Sequence, residues 1–476
     1  MSTAIQNLPP LQQQILRENF DYSSPFYRGR DLHAMLDCAC APELPLASPP
    51  LRGMPVPQDV PLSVPFNAKL REEFFGGILY DCDQHRHYMV DLAAYRMLRA
   101  ATQGGRIGRE LVADTARGGA SEATLTALVS NGLLAPNASA KTIEHFPARD
   151  LSFDYLQSPI IVEVEVTYGC FRACRHCAYE SSPEARMPNE LTAEQWATVF
   201  RKLADAGVLI VQLTGGDPLF RDDSFDIVDA ADDAGLSVYV RSDTVALNAA
   251  NLSRIKGLRH LWHIGTSLDG ADAATHDWIR GRGAFDVFKQ RVSALAFEGV
   301  DVSVGATLHK NNYTTLRQMG QLSAELGAQW FDIGFLSPVG RGVNLEHLVL
   351  DSDEIARSLN SYLDGIRAGE YAPSHAHYLH RAQQDKPFED LAELVDMLPY
   401  VTEWPFSRLR LNPTGSSYTA GKLKGSDYAG GYNALSNSIE HIWDNSPNLR
   451  QLRQIGAGRR VHSLDYRLLR SSHEFM

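Results

Sequence analysis

Cys170, Cys174 and Cys177 lie in the run Cys-Phe-Arg-Ala-Cys-Arg-His-Cys, directly after the strand-like stretch Ile160 to Thr167. Three thiolates at this spacing can hold three irons of a [4Fe-4S] cube and leave the fourth iron without a protein ligand, whereas a structural cluster or zinc site takes four. An iron left open in this way is a place to bind and reduce a small molecule. The alternative is a zinc site that borrows His176 or a distant ligand, although zinc sites pair cysteines more closely and add a second pair elsewhere.

Further reactive groups follow at regular intervals. Leu213-Thr214-Gly215-Gly216-Asp217-Pro218 ends the next strand-like run. Paired glycines let a ligand approach the backbone, and a carboxylate there can accept hydrogen bonds from an ammonium. Ser242, in Arg241-Ser-Asp-Thr244, is a polar group for a ligand or, equally, part of a helix N-cap. Ser267-Leu-Asp269-Gly270 precedes Arg280, and Asp269 with Arg280 reads either as ligand contacts or as an ion pair that fixes the loop. Cys38, Cys40 and Cys82 read as free thiols, or as a hydrogen-atom donor or an unusual cluster ligand. His375, His377 and His380 do not align on one helix face and read as a surface loop.

Positioning these groups requires strands of fixed direction. From residue 160 the chain alternates β-branched runs with amphipathic stretches. The strands are expected at Ile160–Thr167, Val208–Leu213, Ser237–Arg241, Leu261–Ser267, Asp301–Leu308 and Trp330–Leu336. Helices are expected at Thr192–Ala206, Ser224–Ala234, Ala284–Glu298 and Tyr313–Leu326. Six βα units predict an α/β fold, an open (β/α)6 barrel with ligands gathered at the strand ends.

The flanking regions read differently. Residues 75–90 predict a hairpin turning near Asp83-Gln84, followed by helices at Asp91–Ala101, Ile107–Ala116 and Ser121–Asn131, the pattern of a winged helix-turn-helix. Residues 39–63 are proline-rich and read as an extended arm. The end of the chain is mixed α+β, with helices near Ser352–Ala368 and Asp390–Leu398 and strand-like Arg408–Leu411 and Ser416–Ala420.

A net charge of −12 over 476 residues, without a long basic block, argues against nucleic acid as a partner. No signal-like start and no run of about 18 apolar residues is present, which predicts a cytoplasmic protein and no membrane partner. Six cysteines, three of them within eight residues, suit a metal in a reducing compartment rather than a disulfide scaffold.

The triplet and the motifs after it resemble the radical S-adenosylmethionine (SAM) superfamily, over at least residues 158–340 and in particular its peptide-maturing branch. The resemblance implies one [4Fe-4S] cluster on Cys170, Cys174 and Cys177, with SAM on the open iron. It implies SAM contacts from His176, Gly215, Gly216, Asp217, Ser242, Ser267, Asp269, Arg280, Thr307 and Leu336; ordinary barrel packing explains Thr307 and Leu336 equally. Asp217 stands where the family has glutamate.

The N-terminal winged helix resembles the recognition element that captures leader peptides of ribosomally made, modified peptides, although a structural cap on the barrel is the other reading. Such a leader adds as a strand to the hairpin's edge. Arg408-Leu-Arg-Leu-Asn-Pro-Thr-Gly and Ser438-Ile-Glu-His-Ile-Trp443 resemble the SPASM or twitch extension. That extension normally carries auxiliary-cluster cysteines, but no cysteine follows Cys177 here, and Ala420 stands where one is usual.

The expected division is an arm over 1–65, a winged-helix peptide-recognition domain over 66–136, a linker over 137–157, the barrel over 158–345 and a cluster-free extension over 346–476. The expected function is a radical SAM enzyme that modifies a precursor peptide and draws electrons from an external donor such as flavodoxin or ferredoxin. The alternatives are a radical SAM enzyme acting on a small metabolite or cofactor precursor, and a non-catalytic peptide carrier.

Overall fold

The computed structural model describes residues 26–27, 59–103, 106–139, 141–150, 155–371, 407–418 and 431–450. Cys38, Cys40, the three histidines between 375 and 380, the expected helix at 390–398 and Ala420 lie outside the described residues. Those described fall into two compact units that meet in sequence between Ser158 and Pro159. No helix among them is long and apolar enough to cross a membrane.

The first unit is built on β3 (Ala68–Glu73), β4 (Gly76–Asp81) and β5 (Arg86–Asp91), an antiparallel meander. The turn between β4 and β5 is held by Asp81, whose Oδ1 accepts from the N–H groups of Asp83 and Gln84. Asp91 ends β5 and caps the next helix by accepting from Ala94 N at 2.8 Å. That helix, α1 (Leu92–Ala101), is followed by α2 (Gly108–Thr115) and α3 (Glu122–Ser130), the last opened by a capping box between Ser121 and Thr124. Leu70, Leu79, Val90, Tyr95, Leu98, Leu111, Leu125 and Leu128 form the core beneath them.

Two strands add to the meander. The stretch expected as a polar linker contains β8 (Ile143–Phe146), which pairs parallel to β3. The opposite edge, β5, is already paired at Val90 and Met89 with β1 (Phe26–Tyr27). Cys82 lies half-buried in the β4–β5 turn, where burial pushes its thiol up to about 11.

The second unit is one sheet with helices between its strands. β9 (Ile161–Thr167), β10 (Ile210–Gly215), β11 (Ser237–Arg241), β12 (Leu261–Ser267), β13 (Val302–Leu308) and β14 (Trp330–Phe335) run parallel and neighbour one another in chain order. This is the α/β partial barrel expected from the alternation. The connecting helices bury one stripe each: Trp196, Val199, Phe200 and Leu203 face inward from the helix Ala193–Asp205, which starts with a capping box of Thr192 and Gln195. Two eight-residue helices, Ala249–Lys256 and Ala273–Arg280, were not expected from the sequence.

β9 is continued on its outer side by β15 (Arg408–Leu411), parallel to it, and then by β16 (Ser417–Tyr418). The extension therefore contributes strands to the barrel sheet itself. All seven residues of β9 are buried, and its alternation separates an apolar face of Val162, Val164 and Val166 from a polar one of Glu163 and Glu165. Glu163 is held between Arg408 Nη1 at 2.7 Å and Arg410 Nη2 at 2.5 Å. Burial alone would raise its pKa, but the two guanidinium groups prevail and hold it below the usual value.

Candidate active site

The cysteine loop leaves β9 at its C-terminal end and is fastened by each neighbouring loop of the barrel rim. At the end of β10, Gly215 has φ +120°, and a Cβ there would stand 2.3 Å from the Thr167 carbonyl oxygen. A Cβ on Gly216 would stand 2.2 Å from the Gly169 carbonyl oxygen. The two glycines let the loop after β10 press on the backbone that leads into Cys170, with Gly216 N donating to Thr167 O at 2.7 Å. Phe171 meets Phe220 edge to face at 5.0 Å.

From the loop after β11, Asp243 pairs with Arg172 at 2.8 Å. On the helix after β12, Trp278 lies under the Arg175 guanidinium, and Arg175 N donates to Ile279 O. Arg341, after β14, donates from Nε to Cys174 O at 2.8 Å and from Nη2 to Ser181 O at 2.6 Å. Gly340 beside it has φ +54°, and a Cβ there would meet the Ala178 and Cys177 carbonyl oxygens. Sequence reasoning missed Arg341; its position between two glycines was the one available signal.

Asp217 and Ser242 turn to each other. The Ser242 hydroxyl lies 2.9 Å from both Asp217 oxygens, which also accept the N–H groups of Leu219 and Asp243. Asp217 is fully enclosed, so its carboxylate ties the loops after β10 and β11 together. Burial, then the nearby Asp243 carboxylate, raise its pKa well above the usual value. Such a carboxyl gains from any cation brought near it.

On the other side of the loop, Asp269 is a hub. It binds Arg280 Nε at 2.5 Å and the Thr307 N–H at 2.7 Å, and His176 Nε2 lies 3.8 Å away. Burial opposes its ionisation, but Arg280 and the two histidines at 176 and 276 outweigh that and keep it charged. His176 is pushed down to about 4, chiefly by burial, and its Nδ1 has no hydrogen-bond partner among the described residues. Ser267 is half-buried at the end of β12. The Leu336 side chain packs with Ile279, Leu345 and Leu348, so it is spent on an apolar core. Cys82 belongs to the first unit.

The three thiols fit an iron–sulfur cube. Burial, then the Asp217 carboxylate, push the Cys170 thiol up, and burial does the same to Cys174. Thiols kept neutral in this way become thiolates when a metal supplies positive charge. Among the described residues no three His, Cys, Asp or Glu side chains converge on a single ion.

Residues 164–322 match the model of the Radical SAM superfamily. An AdoMet-dependent heme synthase of Nitratidesulfovibrio vulgaris is 29% identical over 205 residues, 43% of this chain and 55% of that one. The mycofactocin maturase MftC of Mycobacterium tuberculosis is 33% identical over 193 residues, 40% of this chain and 48% of that one. The chain thus spans about half the length of the curated relatives it matches. Among solved structures, Streptococcus suis SuiB bound to precursor peptide SuiA shares the fold with a TM-score of 0.63 at 16% identity, over 82% of this chain and 90% of that one.

Proposed function

Residues 164–322 form a radical SAM domain, and on that premise we propose that the protein modifies a ribosomally made precursor peptide by radical chemistry. A [4Fe-4S] cluster on Cys170, Cys174 and Cys177, with SAM at its open iron, would supply a 5'-deoxyadenosyl radical that takes a hydrogen atom from the substrate. The chain's own residues do the positioning. Arg341, Arg172 and the paired glycines hold the cysteine loop in one shape, and Asp269 with Arg280 fixes the rim where the nucleoside end of SAM would lie. Asp217, whose oxygens accept from Ser242, Leu219 and Asp243, braces the loops after β10 and β11 against the cysteine loop.

The observation that carries the peptide reading is the first unit, an antiparallel meander followed by three short helices in the same chain as this domain. Such a sheet can take a leader peptide as an added strand. The β5 edge is partly occupied by β1, so a leader pairing there would displace it or lie beside Arg86 to Tyr88. The heme synthase relatives favour a second reading, a small cofactor precursor as substrate.

Anaerobically reconstituted protein should form 5'-deoxyadenosine from SAM under reduction. Cys174→Ala should lose both the cluster's visible absorption and this product; a fully loaded cluster in that variant would defeat the ligand assignment. Co-expression with a short peptide encoded beside the gene should change the peptide's mass. An unchanged peptide, with turnover of a porphyrin precursor instead, would favour the second reading.

A further inference from the structure

One face of the barrel sheet carries a cation without a hydrogen-bond or ion-pair partner among the described residues. Arg241 sits on β11, between β10 and β12, yet it is exposed, while Val238 and Val240 on the opposite face are wholly buried. Among the described residues it donates no hydrogen bond and enters no ion pair. Five other arginines near the site have oxygen partners: Arg172 with Asp243, Arg280 with Asp269, Arg341 with Cys174 O, Arg408 and Arg410 with Glu163.

A glycine on β13 clears part of the space that this guanidinium crosses. Its register partner on β12 is Gly265, where a Cβ would run into the Tyr239 ring at 2.4 Å from the hydroxyl. On β13 a Cβ at Gly305 would stand 3.0 Å from Arg241 Nη2. On β14 a Cβ at Gly334 would find nothing nearer than 3.6 Å. Gly305 thus makes room for the guanidinium, while Gly265 makes room for the Tyr239 ring. Tyr239 first, then Asp332 and Glu163, favour the charged guanidinium, but Glu163 is already held by two arginines.

An accessible guanidinium is a fork of donors that matches a carboxylate in two parallel hydrogen bonds. We propose that Arg241 anchors a substrate carboxylate, a chain terminus or an acidic side chain, and so selects which residue is presented on this face. The proposal rests on the reading of this face as the substrate side of a radical SAM site.

The test is calorimetric titration of the reconstituted, SAM-loaded protein with glutarate and with its diamide. Wild type should bind one glutarate per chain and ignore the diamide. Arg241→Gln should weaken glutarate binding at least about tenfold, as loss of charge-assisted hydrogen bonds implies, with Arg241→Lys in between. Because Arg241 makes no hydrogen bond or ion pair among the described residues, both variants should still unfold cooperatively, which a denaturation curve checks. Equal affinity in wild type and Arg241→Gln would overturn the proposal. So would displacement of SAM by glutarate, which would assign the guanidinium to the cofactor's own carboxylate.

Two capped peptides separate the sources: acetyl-triglycine offers a terminal carboxylate, and acetyl-Gly-Glu-Gly amide offers a side chain. Binding of either in an Arg241-dependent way supports the anchor and names its ligand; binding of neither overturns it. Formation of 5'-deoxyadenosine by wild type reports separately on the parent reading. Its absence alongside Arg241-dependent glutarate binding would remove the radical SAM activity and leave the carboxylate site standing.

Discussion

Arg341 shows how one side chain can set the shape of a ligand loop without being a ligand. Its two donated hydrogen bonds end on the Cys174 and Ser181 carbonyls, and bonds from a charged donor are worth about 1.5–3 kcal/mol each. Arg341→Met should therefore lower iron and sulfide content per chain after reconstitution, with a smaller fall in the unfolding midpoint, and Arg341→Lys should recover part of it. Iron analysis at matched protein concentration measures this, and an unchanged iron content would show that the loop holds its shape unaided. The cysteines, the paired glycines and the Asp269–Arg280 pair were legible in the sequence because their residue types and spacing carry the chemistry. Arg341, Arg172 and Arg241 were not, since an arginine means one thing when paired and another when left over, and only the fold shows which.

At the scale of elements, the six parallel strands were legible because Val and Ile runs recur between amphipathic helices. The short helices Ala249–Lys256 and Ala273–Arg280 escaped notice because each buries only two residues, too few to show a period. β8 escaped because Ile-Glu-His-Phe sits among polar residues that read as linker. β15 could be recognised as a strand, but its partnership with β9 depends on Glu163, which a sequence reader places among ordinary strand residues. Breaking a buried ion pair by removing one partner costs about 3–5 kcal/mol, and Glu163→Gln would leave two guanidinium groups facing a neutral amide. Chemical denaturation should show a loss of that order. The pKa of Glu163 is lowered on folding, so its contribution is complete above the ordinary carboxylate value of about 4.3 and fades as pH falls from there through the lowered one. The Gln variant should lack that part of the acid sensitivity, visible as a flatter stability curve on the acid side.

At the scale of the whole molecule, the described residues combine a small antiparallel unit with a parallel sheet whose last two strands come from far along the chain. The pair between Glu163 and Arg408 spans 245 residues. During synthesis at about 5–20 residues per second, β9 therefore waits on the order of 12–50 seconds for its outer neighbour. For that interval its backbone edge and an uncompensated carboxylate stand open, a state that invites pairing with the wrong chain. A chain ended before residue 408 should accumulate as aggregate, and separately supplied residues 407–450 should rescue part of it if docking alone closes the edge; a soluble, cooperatively folding truncation would contradict this. The strand that completes the sheet thus also sets a clock on its maturation, and conditions that slow translation or starve the cell of chaperones should reduce the yield of folded protein before any cofactor becomes limiting.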